Sequence, residues 1–338
     1  KQVMNERLQA DQGADGRGRL TLASGGGTMT LDEDGAHPFG MKLSAVTSTL
    51  SNATVTGPTG SPASLSVAFS GQPEKGEKLT VTFGLPDGTT SKIEVEAGDT
   101  TDTGTNTFQI GATAADTADN LKSLIDTNIQ SLVSSDLVAA SAMQAGDEFF
   151  ATENGGAPLR VDGPPFTSAT TLTADTTYAK TVQWYVGTND ASSARGDATA
   201  HVDTSVTVQY GMRANEEAFS WALRQMAVLT SVDVSGGTAT DSDVHSELLL
   251  RAKGNLGVPT GVQSIEAVEV EFASASQAAT QAATRHKAMA ATYQKVVDDT
   301  INTDQTEVAT QLLALQTQMQ ASYQATSILY KMSLTNYL

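Results

Sequence analysis

The chain's four histidines, His37, His201, His245 and His286, are its candidate acid–base and metal-binding groups, and their spacing disfavours both roles. None has a second histidine three or four residues away, the separation that sets two imidazoles on one helix face for zinc. With no cysteine, neither a disulfide framework nor a thiolate metal site is possible. Asp32-Glu33-Asp34 offers the hard oxygens that Ca²⁺ takes, and Asp11 and Asp15 flank Gly13, but neither group has the spacing of a twelve-residue calcium loop. The Asp32–Asp34 run reads as a solvated acidic turn. Glu94 and Glu96 alternate onto the exposed face of a strand, a solubility pattern rather than an acid–base dyad. Gly13-x-x-Gly16-x-Gly18 has no strand–helix unit around it and is no dinucleotide fingerprint, and there is no Walker phosphate loop. These residues predict no enzyme, no cofactor and no metal.

Bulk composition narrows the partners. The 338 residues carry a formal charge of −18, with 39% hydrophobic and 5% aromatic residues. Phosphate backbones and anionic membranes need basic surfaces, so nucleic acid is excluded as the expected partner and membrane insertion is not expected. No apolar run approaches the roughly 20 residues that span a bilayer. The lean apolar content suits long helices with narrow seams and small β-rich modules. The chain opens Lys1-Gln2-Val3-Met4-Asn5-Glu6, with no signal-peptide pattern, and reads as the last turns of a helix whose apolar positions are Val3, Met4 and Leu8. A domain rarely begins in mid-helix, so the expectation is a chain truncated at its N-terminal side.

Residues 11–36 predict turns and short strands, and 39–43 a short apolar element that packs on a core. From 51 to 110 Thr, Ser, Gly and Pro dominate. Gly57 to Pro62 reads as a linker or loop. Period-two alternation then runs through Leu65, Val67 and Phe69, through Leu79, Val81, Phe83 and Leu85, and past a Pro86-Asp87-Gly88 turn into Ile93 and Val95, which predicts a β-hairpin with one buried face. Phe108 and Ile110 offer another strand. Helical spacing follows at Ala118, Leu121, Leu124, Ile125, Ile129 and Leu132, with Thr113 or Asp116 as the cap. Thr-rich strands are expected at 167–177. Further strands are predicted through Val182, Trp184 and Val186 and through Val202, Val206, Val208 and Tyr210. Helices are predicted at 214–229, with Phe219, Leu223 and Met226 on one face, and at 242–253, stopped by Gly254.

The last 77 residues carry the clearest period. Alternating steps of three and four from Ile265 give Val268, Phe272, Ala275, Ala279, Ala282, His286, Met289, Tyr293, Val296 and Thr300, a heptad seam over about five repeats. His286 falls on the seam, where a core or interface histidine is the simpler reading. The register breaks at Asn302-Thr303-Asp304, and a second seam runs through Val308, Leu312, Leu315, Met319, Ser322, Thr326 and Leu329. A helix pair this long cannot bury its seams internally unless it folds back on itself, and isolated helices are marginal in water without a packed partner face. The seam residues are therefore the candidate assembly interface, and the tail needs partners.

The ending Asp304-Gln305-Thr306-Glu307-Val308-Ala309-Thr310-Gln311-Leu312, the run Leu315 to Ser327 and the close Ser333-Leu334-Thr335-Asn336-Tyr337-Leu338 resemble the C-terminus of flagellin-family proteins, most of all hook–filament junction proteins and flagellins of alphaproteobacterial type. Val208 to Glu216 is similar to the strand-to-helix junction of that family, and Gly13 to Leu20 to the segment after its N-terminal helices. The resemblance covers about 1–50 and 180–338, leaving 51–178 as the variable outward insertion. It implies an α+β fold with long C-terminal coiled-coil-like helices and an inserted β-rich α+β domain. The domains would be a partial core segment at 1–50, the insertion at 51–178, a core domain at 179–300 and a C-terminal assembly helix at 301–338. It further implies a structural, extracellular subunit of the bacterial flagellum. Such a subunit leaves through the flagellar type III export apparatus with an export chaperone, then assembles with copies of itself, hook-associated proteins and flagellin. The family's N-terminal helices are missing here, so the helical core would be incomplete. The Thr/Ser-rich 51–178 module also admits a rival reading as a secreted adhesin or carbohydrate-binding module.

Overall fold

The computed structural model describes residues 1–102, 104–152, 155–255, 257, 261, 263–301 and 304–335. It is a mixed α+β chain. It divides into two units, Lys1–Asp197 with Gly211–Glu269, and Ala198–Tyr210 with Val270–Leu338.

The first unit is built on two four-stranded sheets. One has the order β1-β2-β5-β4 and contains β1 (Leu20–Gly25), β2 (Thr28–Glu33), β4 (Ala53–Gly60) and β5 (Ala63–Phe69). The other has the order β3-β6-β7-β8 and contains β3 (Lys42–Ser48), β6 (Lys78–Gly84), β7 (Thr90–Gly98) and β8 (Thr107–Gln109). All pairings are antiparallel except β7 with β8. The alternation read from sequence is the burial pattern: Leu65 and Val67, Leu79, Val81 and Phe83, and Ile93 and Val95 all point into one core. Helix α2 (Ala114–Ser134) lies across β1, β2, β5, β7 and β8 and drives Ala118, Leu121, Ile125 and Ile129 into that core. Each fully buried Leu or Ile stabilises by about 1.5–3 kcal/mol, an upper range because the unfolded chain already hides part of its surface.

α2 starts with a reciprocal cap. The Thr113 hydroxyl accepts from the Asp116 N–H at 3.2 Å, and the Asp116 carboxylate accepts from the Thr113 N–H at 3.0 Å. Both residues named as alternatives thus cap together. Thr113→Ala is expected to lower the stability of the β module by about 1 kcal/mol, measured as a reduced denaturation midpoint with an unchanged slope.

The expected boundary at 50/51 is corrected. β2 pairs with β5 and β3 with β6, so strands from both sides of residue 50 share both sheets. The physical reason is burial: Met29, Leu31 and Met41 belong to the same core as Leu65 and Ile125, and neither segment covers its apolar face alone. Gly57 to Pro62 is no linker but the outer strand and turn of the β4–β5 hairpin, with a register shift between Thr56 and Thr59. Gly57 sits there at φ 100°, where a Cβ would fall 2.3 Å from the Ser64 carbonyl oxygen, so only glycine fits.

Beyond α2 come α3 (Asp136–Phe150), a two-stranded β9–β10 pair (Leu159–Val161, Leu172–Ala174), and the helices α4 (Glu217–Ser231) and α5 (Ala239–Gly254). A second apolar cluster joins Ala139, Ala142 and Met143 of α3 to Val228 of α4 and Val244 and Leu248 of α5. Gly254 is the last residue of α5 rather than its stop; Asn255 caps it. The strand expected through Val182, Trp184 and Val186 does not form. Among the described residues no neighbouring strand offers it a ladder; the Trp184 ring packs 5.0 Å from that of Phe150, leaving Val182 and Val186 exposed. The N-terminal helix α1 (Gln2–Gln12) also differs. Its buried face is Glu6, Arg7, Ala10 and Asp11, while Val3, Met4 and Leu8 are only partly covered.

The second unit holds the hairpin β11–β12 (Thr199–Asp203, Val206–Gln209), most of α6 (Ile265–Ile301) and α7 (Gln305–Thr335). The expected division at 179–300 and 301–338 is therefore not the observed one. The hairpin groups with the long helices, while α4 and α5 group with the sheets.

Candidate assembly interface

α6 and α7 run 37 and 31 residues with no proline and no glycine inside, which lets the i to i−4 ladder continue unbroken. α7 restarts at Asp304, whose carboxylate accepts from the Thr306 N–H at 2.8 Å as an N-cap does. Asn302 and Thr303, the other two residues of the expected register break, lie outside the described residues, as do Asn336, Tyr337 and Leu338 of the closing motif.

The predicted seam is a continuous stripe in sequence but is divided in its cover. Val268 and Ala282 are buried; Phe272, Ala275 and Ala279 are partly buried; Ile265 is exposed. One turn past Ala282 the β11 strand is fastened to the helix, with Arg285 donating to the Asp203 carboxylate at 3.2 Å and His286 Nε2 lying 2.9 Å from the Val202 carbonyl. His286 thus meets the hairpin at the point where the seam's cover ends. From there on the stripe is bare. Met289, Tyr293 and Val296 on α6 are exposed, as are Val308, Leu312, Leu315, Met319 and Leu329 on α7, with Leu312 61% and Leu329 66% accessible.

Sequence reading missed two features of this surface. The apolar row of α7 is broader than a two-position seam, since Leu313, Ile328, Tyr330 and Met332 are exposed beside it. And 308–330 contains no charged residue at all, so the whole circumference of α7 over that length is apolar side chains and neutral Gln, Thr, Ser and Ala. The signal was present as an absence of Asp, Glu, Lys and Arg in a chain where those types make up 17% of residues. An exposed helix held in water by itself normally carries charge on its outer face. A charge-free one matches burial on more than one side.

The acidic groups weighed from sequence are structural pins. Glu33 accepts from the Leu43 and Ala63 N–H groups, Asp34 pairs with Arg19 and His37, and Asp11 accepts from Gly40 N–H. Burial pushes the His37 imidazole below its usual range. Glu94 and Glu96 both face Lys78. Among the described residues no group of three or more His, Asp or Glu side chains is placed to hold a metal, and no helix is long and apolar enough to cross a membrane.

The first unit has a groove of about 640 Å³ beside α1, floored by Glu6 and Arg160. These two are spent on each other at 2.5 Å, and Arg160 also donates to Thr181, so the groove offers a ligand no idle charge from that pair. A second hollow of about 420 Å³ is edged by Asp87 and Arg251, likewise joined at 2.9 Å.

No protein-family model, no curated protein and no solved structure matches the chain.

Proposed function

We propose that this chain is a structural subunit of the bacterial flagellum, a hook–filament junction protein or a flagellin, that acts by packing its C-terminal helices against other subunits and catalyses no reaction. The observation that carries the reading is the bare apolar stripe from Met289 through α7, which none of the described residues covers. Most of a helix's stability in a protein comes from packing its apolar face, and exposed Leu, Met and Tyr rows along a 31-residue helix are an association surface rather than a solvated one. The C-terminal motif names the kind of assembly, since the same stretch from Asp304 to Ser327 carries both the resemblance and the stripe.

In this reading the chain is extracellular, reaches its place through the flagellar type III export apparatus with an export chaperone, and contacts copies of itself, hook-associated proteins and flagellin. The β-rich part of the first unit projects outward. The ending favours the junction role over the bulk filament.

The test is flagella sheared from the source bacterium and probed with antibody to the β module. The chain is expected in the sheared fraction, at a few copies per flagellum for a junction protein and as the dominant band for a flagellin. Its absence from sheared flagella, with the protein present elsewhere in the cell or medium, overturns the proposal.

A further inference from the structure

α1 meets the rest of its unit through charge. Its buried face is Glu6, Arg7, Ala10 and Asp11, so three of the four buried positions are charged; its apolar contacts are Ala10, in a small cluster with Phe39 and Val161, and the partly covered Met4. Arg7 is 2% exposed and stands between two carboxylates, Asp11 at 0% and Glu148 of α3 at 3%. Its Nε donates to Asp11 at 2.9 Å, one amino group donates to Glu148, and the other donates to the Pro38 carbonyl at 2.9 Å. Its guanidinium also lies 4.9 Å from the Phe39 ring centroid. The Glu148 carboxylate accepts besides from Gln144 at 3.2 Å, and Asp11 from the Gly40 N–H. Beside Glu148, Asp147 pairs with Arg224 of α4 at 3.0 Å, and among the described residues Arg7 is the cation bonded to Glu148. Next along α1, Glu6 and Arg160 form a separate and balanced pair.

One cation facing two carboxylates out of water is a cluster with one negative charge too many. Two like charges in one dry site do not both ionise at their ordinary values. We infer that α1 is a proton-coupled latch: docking it onto α3 takes up one proton in the buried cluster of Arg7, Asp11 and Glu148.

The proton belongs on Glu148. Burial pushes its carboxyl up to about 7, more than the neighbouring Arg7 pulls it down, and Asp11 and Asp147 push the same way. With α1 released, Glu148 returns toward its ordinary value of 4.5. The released state then binds no proton between those limits while the docked state binds one, so docking weakens as pH rises from about 4.5 to 7 and levels off above. Asp11 shares the cluster, and comparison with a Glu148 variant separates the two carboxylates.

The test is amide exchange along 2–12 in the full chain from pH 5 to pH 7.5, corrected for intrinsic rates, in wild type and Glu148→Gln. The wild-type opening constant is expected to rise by about tenfold or more over that range, and the variant's to stay within about twofold. Equal slopes in the two proteins overturn the latch. Where Glu148→Gln does not fold, carbon-13 titration of the wild-type glutamate carboxyls decides: one resonance with a midpoint near 7 supports the proposal, and no glutamate titrating above pH 6 overturns it.

Discussion

Leu312→Asp and Leu315→Asp are each expected to abolish incorporation of the chain into flagella while leaving its own fold intact. Both side chains are more than half exposed in the isolated chain, so a carboxylate there is hydrated and costs the monomer little. In an assembly that covers the stripe the same carboxylate is buried without a partner, at a cost of several kcal/mol per copy. Every 1.4 kcal/mol is tenfold in affinity, so one substitution weakens a helix contact by about 10² to 10³, and a repeating assembly meets the penalty at each subunit. The measurement pairs two readings. Sheared flagella are assayed for the variant, and its thermal unfolding is compared with wild type. Normal incorporation of Leu312→Asp would sink the assembly reading. A large drop in melting temperature would instead place Leu312 in the chain's own core, contrary to its exposure. Ala282→Asp is the informative contrast, because that seam residue is already buried, one turn before the His286 that meets the Val202 carbonyl. It is expected to lower the melting temperature, as the α7 changes are not.

That contrast marks where sequence reading stopped. The heptad period from Ile265 to Leu329 was legible because a seam is a one-dimensional pattern. Which neighbour covers it was not, because Val202 and Asp203 lie more than eighty positions from His286 and Arg285, to which they are tied, and leave no mark on the helix's period. The β module was readable for a related reason. Strands with one buried face alternate, and Leu79 to Phe83 announces itself. α3 did not, because it is buried on nearly every side. Leu137, Ala139, Ala140, Ser141, Ala142 and Met143 are consecutive or nearly so and all covered, and a helix enclosed all round has no stripe to detect. The 50/51 boundary was misplaced by composition, since a Thr- and Gly-rich stretch that looks like a linker forms an outer strand here. For α1 the apolar residues pointed to the wrong face: Arg7 and Asp11 look like solvated residues in sequence, and only the fold brings Glu148 to them from 141 positions away.

Removing Arg7 should therefore do more harm than its place on an eleven-residue helix suggests. Arg7→Met keeps much of the side chain's volume and helix propensity but leaves Asp11 and Glu148 buried together with no cation. Breaking a buried pair in this way costs about 3–5 kcal/mol, far more than a surface pair's 0–1 kcal/mol, because the desolvated partner remains. The loss is expected as release of α1, read by amide exchange at 2–12, and as a lower denaturation midpoint of the first unit. Its sign with pH follows from the cluster. Protonation of Glu148 relieves the uncompensated charge, so the deficit shrinks from pH 7.5 toward pH 5. Adding Glu148→Gln to Arg7→Met should recover at least 1 kcal/mol at pH 7.5, which a double-mutant cycle reports as coupling between the two positions. An Arg7→Met deficit below about 1 kcal/mol at pH 7.5, with independent behaviour of the two substitutions, would mean that water reaches the cluster and that α1 is held by its apolar neighbours instead. Replacing Arg7, Asp11 and Glu148 together by apolar residues of similar volume is the complementary case. A packed apolar contact has no charge to strand, so that triple variant is expected to dock α1 at least as firmly as the single variant, and with no dependence on pH from these three positions.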